Sequence, residues 1–143
     1  MSLSEELYRR IEQAGNSRNE VELKELAPEI FNYASERSWL IASYADAWER
    51  VKGPEGIIIV SNVLKMSRRV LRNYVTVVRR YGHLKKRYPG VTFSYFAYLY
   101  FYGVPNEVVD EIMKIASEEH SSLAEFQSFL RDMFSKGKKG PKK

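Results

Sequence analysis

Apolar residues recur at intervals of three and four along most of this chain, and glycine or proline interrupts the pattern repeatedly. A helix has a period of 3.6 residues, so this spacing places apolar side chains on one helical face, whereas a strand requires strict alternation. Leu7 and Ile11 show the spacing near the start, and Gly15, Gly53 and Gly82 supply stops. The pattern predicts an all-α fold.

The longest predicted helix begins at Pro28, because proline lacks an N–H group that would have no partner in a first turn. This helix carries Trp39 and Trp48. We expect one tryptophan in the core and the other at a contact with a second copy of the chain. The predicted helices cover residues 4–14, 19–26, 28–51, 56–64, 67–81, 93–102, 105–118 and 123–134.

Charge is distributed unevenly along the chain. Residues 56–106 contain basic residues but no acidic one, although the whole chain has 18 acidic residues and a net charge of +5. The last eight residues are lysine, glycine and proline only, which predicts a disordered basic tail. Because a solvated surface normally mixes both signs of charge, an acid-free stretch of this length indicates a polyanionic partner.

The central part of the chain, from about Pro54 to Tyr81, fits a helix-turn-helix. This motif needs a small residue where the helices cross and a tight turn between them. Ser61 is the small residue, and Ser67 is a suitable N-cap for the second helix. Lys65 occupies the usual glycine position and has to adopt a left-handed conformation at some cost. Val60 and Leu64 point inward from the first helix, Met66 fills the turn, Leu71 and Tyr74 point inward from the second, and the second helix also carries Val70, Val75, Val77 and Val78.

The outward side of the second helix is rich in side chains that recognise DNA bases. Arginine can bind guanine through two hydrogen bonds, and asparagine can bind adenine in the same way. The N-terminal part of such a helix enters the major groove. The candidate base-reading residues are Arg68, Arg69, Arg72, Asn73 and Thr76. The candidate phosphate-binding residues, which contribute affinity without sequence information, are Lys65, Ser67, Arg79, Arg80, Lys85, Lys86 and Arg87.

The order of these motifs resembles the ParB/KorB-type helix-turn-helix domains and their plasmid- and phage-borne relatives. The resemblance rests on five segments and covers roughly residues 39–133. It implies specific binding of double-stranded DNA, often as a dimer. The five segments are 38–41 (SWLI), 67–75 (SRRVLRNYV), 78–81 (VRRY), 91–96 (VTFSYF) and 122–126 (SLAEF).

We therefore expect three parts: an N-terminal helical region, 1–53, that supports a homodimer, a helix-turn-helix domain, 54–134, and the basic tail, 135–143. The expected function is sequence-specific binding of double-stranded DNA in transcription regulation, of phage or plasmid type. One alternative is a small transcription factor that binds a protein such as RNA polymerase. Another is an architectural DNA-binding protein with little sequence preference.

Other classes of site lack support in the sequence. There is no cysteine, and His83 and His120 lie far apart without further ligands at metal-binding spacing, so we expect neither a metal nor another cofactor. No glycine-rich phosphate loop or nucleophile motif is present, so an enzyme is not expected. The polar start of the chain and the lack of a long apolar stretch predict a cytoplasmic protein without membrane association.

Overall fold

The structure of the chain, a computed structural model, describes residues 3–135, apart from the side chains at positions 3, 35 and 135. Every regular element in that part is a helix, which confirms the predicted all-α fold. Except for position 135, the predicted basic tail lies outside the described residues. The α-helices are α1 (Leu3–Asn16), α2 (Glu20–Ile30), α3 (Arg37–Lys52), α4 (Pro54–Leu64), α5 (Arg68–Tyr81), α6 (Phe93–Phe101), α7 (Asn106–Glu118) and α8 (Leu123–Leu130).

The chain divides into two compact units, one ending at Arg80 and the other beginning at Tyr81. The first unit contains α1 to α4 and nearly all of α5, and the second contains α6 to α8. The boundary that we predicted after residue 53 does not coincide with this division. Ile57 and Val60 of α4 belong to the same apolar cluster as the buried residues of α1, α2 and α3, so one core continues across that position.

Helix α3 is the centre of the first unit and packs against α1, α2 and α4. Eight of its 16 residues are buried, which is more than a helix with a single apolar stripe would bury. Burying Tyr44 requires a partner for its hydroxyl group, which donates a hydrogen bond of 2.7 Å to the carbonyl oxygen of Leu23. This bond ties α3 to α2.

Helices α3 and α4 approach each other closely at Gly56. A Cβ atom at this position would lie 2.3 Å from the carbonyl oxygen of Trp48, which is part of the backbone and cannot move aside alone. A glycine is therefore required where α4 crosses α3, and the close approach brings Val60 and Leu64 into the core. This crossing fixes the position of the first helix of the helix-turn-helix.

Pro28 does not begin the long helix that we predicted over 28–51, because it lies inside α2. Leu26 and Ile30, on either side of it, are fully buried. Their packing carries the helix through another turn despite the hydrogen bond that proline cannot donate. A 3₁₀ turn, Ala34–Glu36, then separates α2 from α3.

Both tryptophans of α3 are buried within a single chain, with 5% of Trp39 and 0% of Trp48 exposed. The prediction that one of them lies at a contact with a second copy is therefore wrong. The central position of α3 in the first unit leaves neither tryptophan side chain on the surface. The homodimer itself stays a prediction.

The second unit is a small helical assembly with an aromatic core. Phe96 of α6 and Leu130 of α8 are fully buried. The Tyr95 and Phe126 rings lie 5.0 Å apart, and the Tyr95 hydroxyl donates a hydrogen bond of 2.7 Å to the carbonyl oxygen of Ser121. Helix α8 ends at Leu130, earlier than predicted, and a single π-helical segment, Arg131–Ser135, follows it.

Candidate nucleic-acid interface

The turn between α4 and α5 has the geometry that the sequence predicts. Lys65 ends α4 with φ 59° and ψ 45°, in the left-handed region, which confirms the conformation expected there. The Ser61 hydroxyl donates a hydrogen bond of 2.7 Å to the carbonyl oxygen of Met66. The Ser67 hydroxyl accepts one of 3.1 Å from the backbone N–H of Val70, so the predicted N-cap is confirmed. These contacts fix the direction in which α5 leaves the turn.

The inner face of α5 holds the helix against the first unit. Leu71 and Val75 are buried and belong to the same apolar cluster as Val60 and Leu64 of α4. Tyr74, which we placed in the core, is half-buried and packs against that cluster from its edge. The apolar residues therefore orient the opposite side of α5 toward solvent.

The outer face of α5 brings together the predicted base-reading residues. Arg68, Arg69, Arg72 and Asn73 are all exposed. With 3.6 residues per turn, they fall within an arc of about 140° that begins at the N-terminus of the helix. Thr76 lies in the same arc and is half-buried, and its hydroxyl donates to the carbonyl oxygen of Arg72 at 3.1 Å.

The first turn of α5 is positively charged, which is unfavourable for helix stability. Arg68 and Arg69 occupy it, and it contains no acidic residue. Cations at a helix N-terminus oppose the helix dipole and cost roughly 0.3–1 kcal/mol each. Within the described residues, no carboxylate pairs with Arg68, Arg69 or Arg72. This arrangement slightly lowers the stability of the protein without a ligand, and it suits the binding of an anion.

Arg79 differs from the other arginines of α5. Its Nε atom lies 2.6 Å from Oδ1 of Asp46, and its Nη2 atom lies 2.9 Å from Oε1 of Glu49. Partial burial alone would lower the pKa of Arg79, but the two α3 carboxylates outweigh this effect and raise the pKa above its ordinary value. Arg79 is thus engaged within the chain, and it is not part of the DNA surface that we propose below.

The ion pairs of Asp46 continue beyond Arg79. Its Oδ2 atom lies 3.3 Å from Nε of Arg50, and Nη2 of Arg50 lies 3.3 Å from Oε1 of Glu12 in α1. This chain of charges links α1, α3 and the last turns of α5. It was not visible in the sequence, because the partners of Arg79 lie at least 30 positions away.

The remaining phosphate-binding candidates fall in both units. Lys65, Ser67 and Arg80 belong to the first unit and are exposed. Lys85, Lys86 and Arg87 belong to the second unit. Nη1 of Arg87 lies 3.9 Å from Oδ1 of Asp110, which also receives a hydrogen bond of 2.5 Å from the Tyr88 hydroxyl.

Two exposed valines of the helix-turn-helix were not among the candidate site residues. Val63 of α4 is 42% exposed and Val70 of α5 is 40% exposed. Apolar side chains in a major groove contact the methyl group of thymine. We grouped Val70 with the apolar residues of the helix, although a residue one position before Leu71 points its side chain away from the inner face.

No protein-family model, no curated protein and no solved structure matches this chain significantly. In the described part of the chain, no group of three or more His, Asp or Glu residues is arranged to hold a metal ion. None of the described helices combines the length and apolar character needed to cross a membrane.

Proposed function

We propose that this chain is a sequence-specific double-stranded DNA-binding protein that inserts the N-terminal half of α5 into the major groove. The observation that carries the proposal is the outer face of α5, with three exposed arginines that pair with no carboxylate among the described residues and an exposed asparagine beside them. The left-handed turn and the Ser67 cap support it, because they hold this face away from the core.

The chemistry of these residues suits both parts of DNA recognition. Arg69 and Arg72 can each make a bidentate contact with guanine, and Asn73 can do so with adenine, at about 1–3 kcal/mol of discrimination each. Arg80 and Lys65 flank the arc and suit phosphate contacts. The process that we propose for such a protein is transcription regulation of phage or plasmid type, as the ParB-type resemblance implies.

The test is a selection of bound sequences from a random duplex pool, followed by affinity measurements on the selected and the random duplexes. We expect one recurring motif. For both duplexes, the logarithm of the affinity should fall linearly with the logarithm of the salt concentration, with a slope of about −0.9 per phosphate neutralised. Salt-dependent binding without any enriched motif would indicate an architectural protein. Absence of binding to any duplex would overturn the proposal.

A further inference from the structure

An open apolar groove lies between α7 and α8 in the second unit, with a volume of about 510 Å³. Ile112, Ala116 and Phe126 form buried parts of its lining, while Ile115 is 51% and Phe129 is 44% exposed. A third large apolar residue, Met133, follows Phe129 by four positions and is 59% exposed. Contiguous apolar surface of this kind is typical of a binding site.

The charged residues at this groove all have one sign. Glu119 and Glu125 line it, and none of the described residues that line it is basic. Glu111 precedes Ile115 by four positions on α7, so it extends the same helical face, and it is exposed. The groove is thus an acidic site on a chain whose net charge is +5.

We infer that this groove binds a helix of a partner protein, and that this helix carries bulky apolar residues on one face and lysine or arginine residues beside them. A helix laid between two others presents side chains at positions i, i+3, i+4 and i+7 to such a groove. Its apolar residues would cover Ile115 and Phe129, and its basic residues would face Glu119 and Glu125. This inference does not depend on DNA binding by α5.

Charge and composition distinguish a basic partner helix from three other occupants of the groove: DNA, a second copy of the chain and the chain's own last eight residues. The acidic margin repels the phosphates of DNA, and it would face itself across a two-fold axis if a second copy of the chain bound there. The last eight residues of the chain have the required positive charge, but lysine, glycine and proline provide no bulky apolar side chain for the groove.

A display selection identifies the occupant directly. The full chain is immobilised and exposed to random peptides of about 16 residues, roughly four helical turns. We expect the enriched peptides to share apolar residues at helical spacing with lysine or arginine beside them. Enrichment of acidic peptides, or of no common pattern, overturns the inference.

Variants then locate the binding site, with fluorescence anisotropy of the most enriched peptide as the measurement. Phe129→Asp and Ile115→Asp should each weaken binding about tenfold or more, as for a buried anchor. The matched control is Phe101→Asp, because Phe101 is 68% exposed on α6 and does not line the groove. Circular dichroism checks that each variant is folded.

A charge variant tests the acidic margin separately. Glu119→Lys should weaken the same peptide, whereas Glu118→Lys should not, because Glu118 does not line the groove and lines a different cleft. Equal affinity for the unchanged chain and for both aspartate variants would place the peptide elsewhere and overturn the inference. Concentration-dependent dimerisation that Phe129→Asp abolishes would also overturn it, in favour of a second copy as occupant.

Discussion

The Nε atom of Arg79 lies 2.6 Å from Oδ1 of Asp46, so the last turns of α5 are fastened to α3 by an ion pair. Leu71 and Val75 hold the middle of the helix by apolar packing, and Arg79 holds its C-terminal part by charge. An arginine that is neutralised within the chain contributes little to phosphate attraction. The pair therefore removes Arg79 from the DNA surface that we propose.

The first prediction follows from this pair. Arg79→Ala should lower the affinity for random duplex DNA only slightly, through the carboxylates of Asp46 and Glu49 that it leaves uncompensated, because Arg79 itself is engaged within the chain. It should lower the free energy of unfolding by about 1 kcal/mol or less, as for a partly exposed pair. Asp46→Asn with Glu49→Gln should instead raise the affinity about threefold to tenfold and steepen the salt dependence by one phosphate contact.

The control separates a local from a long-range effect. Glu25→Gln with Glu55→Gln removes the same charge from exposed positions of the first unit. Adding Arg79→Ala to the Asp46 and Glu49 variant should cancel the gain in affinity. A gain that persists without Arg79 would mean that net charge alone is responsible.

The second prediction concerns sequence discrimination by Arg72. Arg72→Ala should cost about 1–3 kcal/mol of binding free energy on the selected duplex, the value of one bidentate base contact, and much less on random DNA. Arg80→Ala should weaken both duplexes by similar factors, because a phosphate contact does not depend on sequence. The measurement is the ratio of the two affinities at one salt concentration. If Arg72→Ala leaves that ratio unchanged, α5 does not read bases.

The third prediction uses the left-handed conformation of Lys65. Lys65→Gly should raise the free energy of unfolding by about 1 kcal/mol, because glycine adopts φ 59° without the steric cost that a Cβ atom imposes. Thermal unfolding followed by circular dichroism gives the value. Lys114→Gly, in the middle of α7, is the matched control and should destabilise the protein by about the same amount. A destabilised Lys65→Gly would show that the lysine side chain has a structural role.

The fourth prediction concerns the crossing of α3 and α4. Gly56→Ala should lower the free energy of unfolding by about 2 kcal/mol or more, since the added Cβ would lie 2.3 Å from the Trp48 carbonyl oxygen. Asn62→Ala, at an exposed position of the same helix, should change it by less than about 0.5 kcal/mol. Chemical denaturation of both variants measures the difference. Equal stability of the two would contradict the close approach.

The sequence predicted the helix-turn-helix well because its determinants are local. Ser61, Lys65 and Ser67 act within a few residues of their own positions, so each role is visible in a short window. The break before α3 was missed because Pro28 suits a first turn, whereas the packing of Ile30 keeps it inside α2. At this position, burial against partners far along the chain outweighed the local preference of proline for the first turn of a helix.

The candidate site was predictable only in part for the same reason. The exposed arc from Arg68 to Asn73 follows from helical spacing alone. The carboxylates that engage Arg79 come from α3, in the part of the sequence rich in acidic residues, and an acid-free stretch gave no sign of them. The burial of both tryptophans likewise depends on the central position of α3, which no single helix reveals.

The arginines at the start of α5, which pair with no carboxylate among the described residues, would also affect how long the protein persists. An anion that binds Arg68 and Arg69 only in the folded state stabilises the folded chain, by about 2.7 kcal/mol when its free concentration is 100 times its Kd. If DNA binds these arginines as we propose, unoccupied copies would unfold more often and would be digested by proteases sooner than occupied ones. Turnover of this protein would then follow the supply of its ligand, without any separate degradation signal.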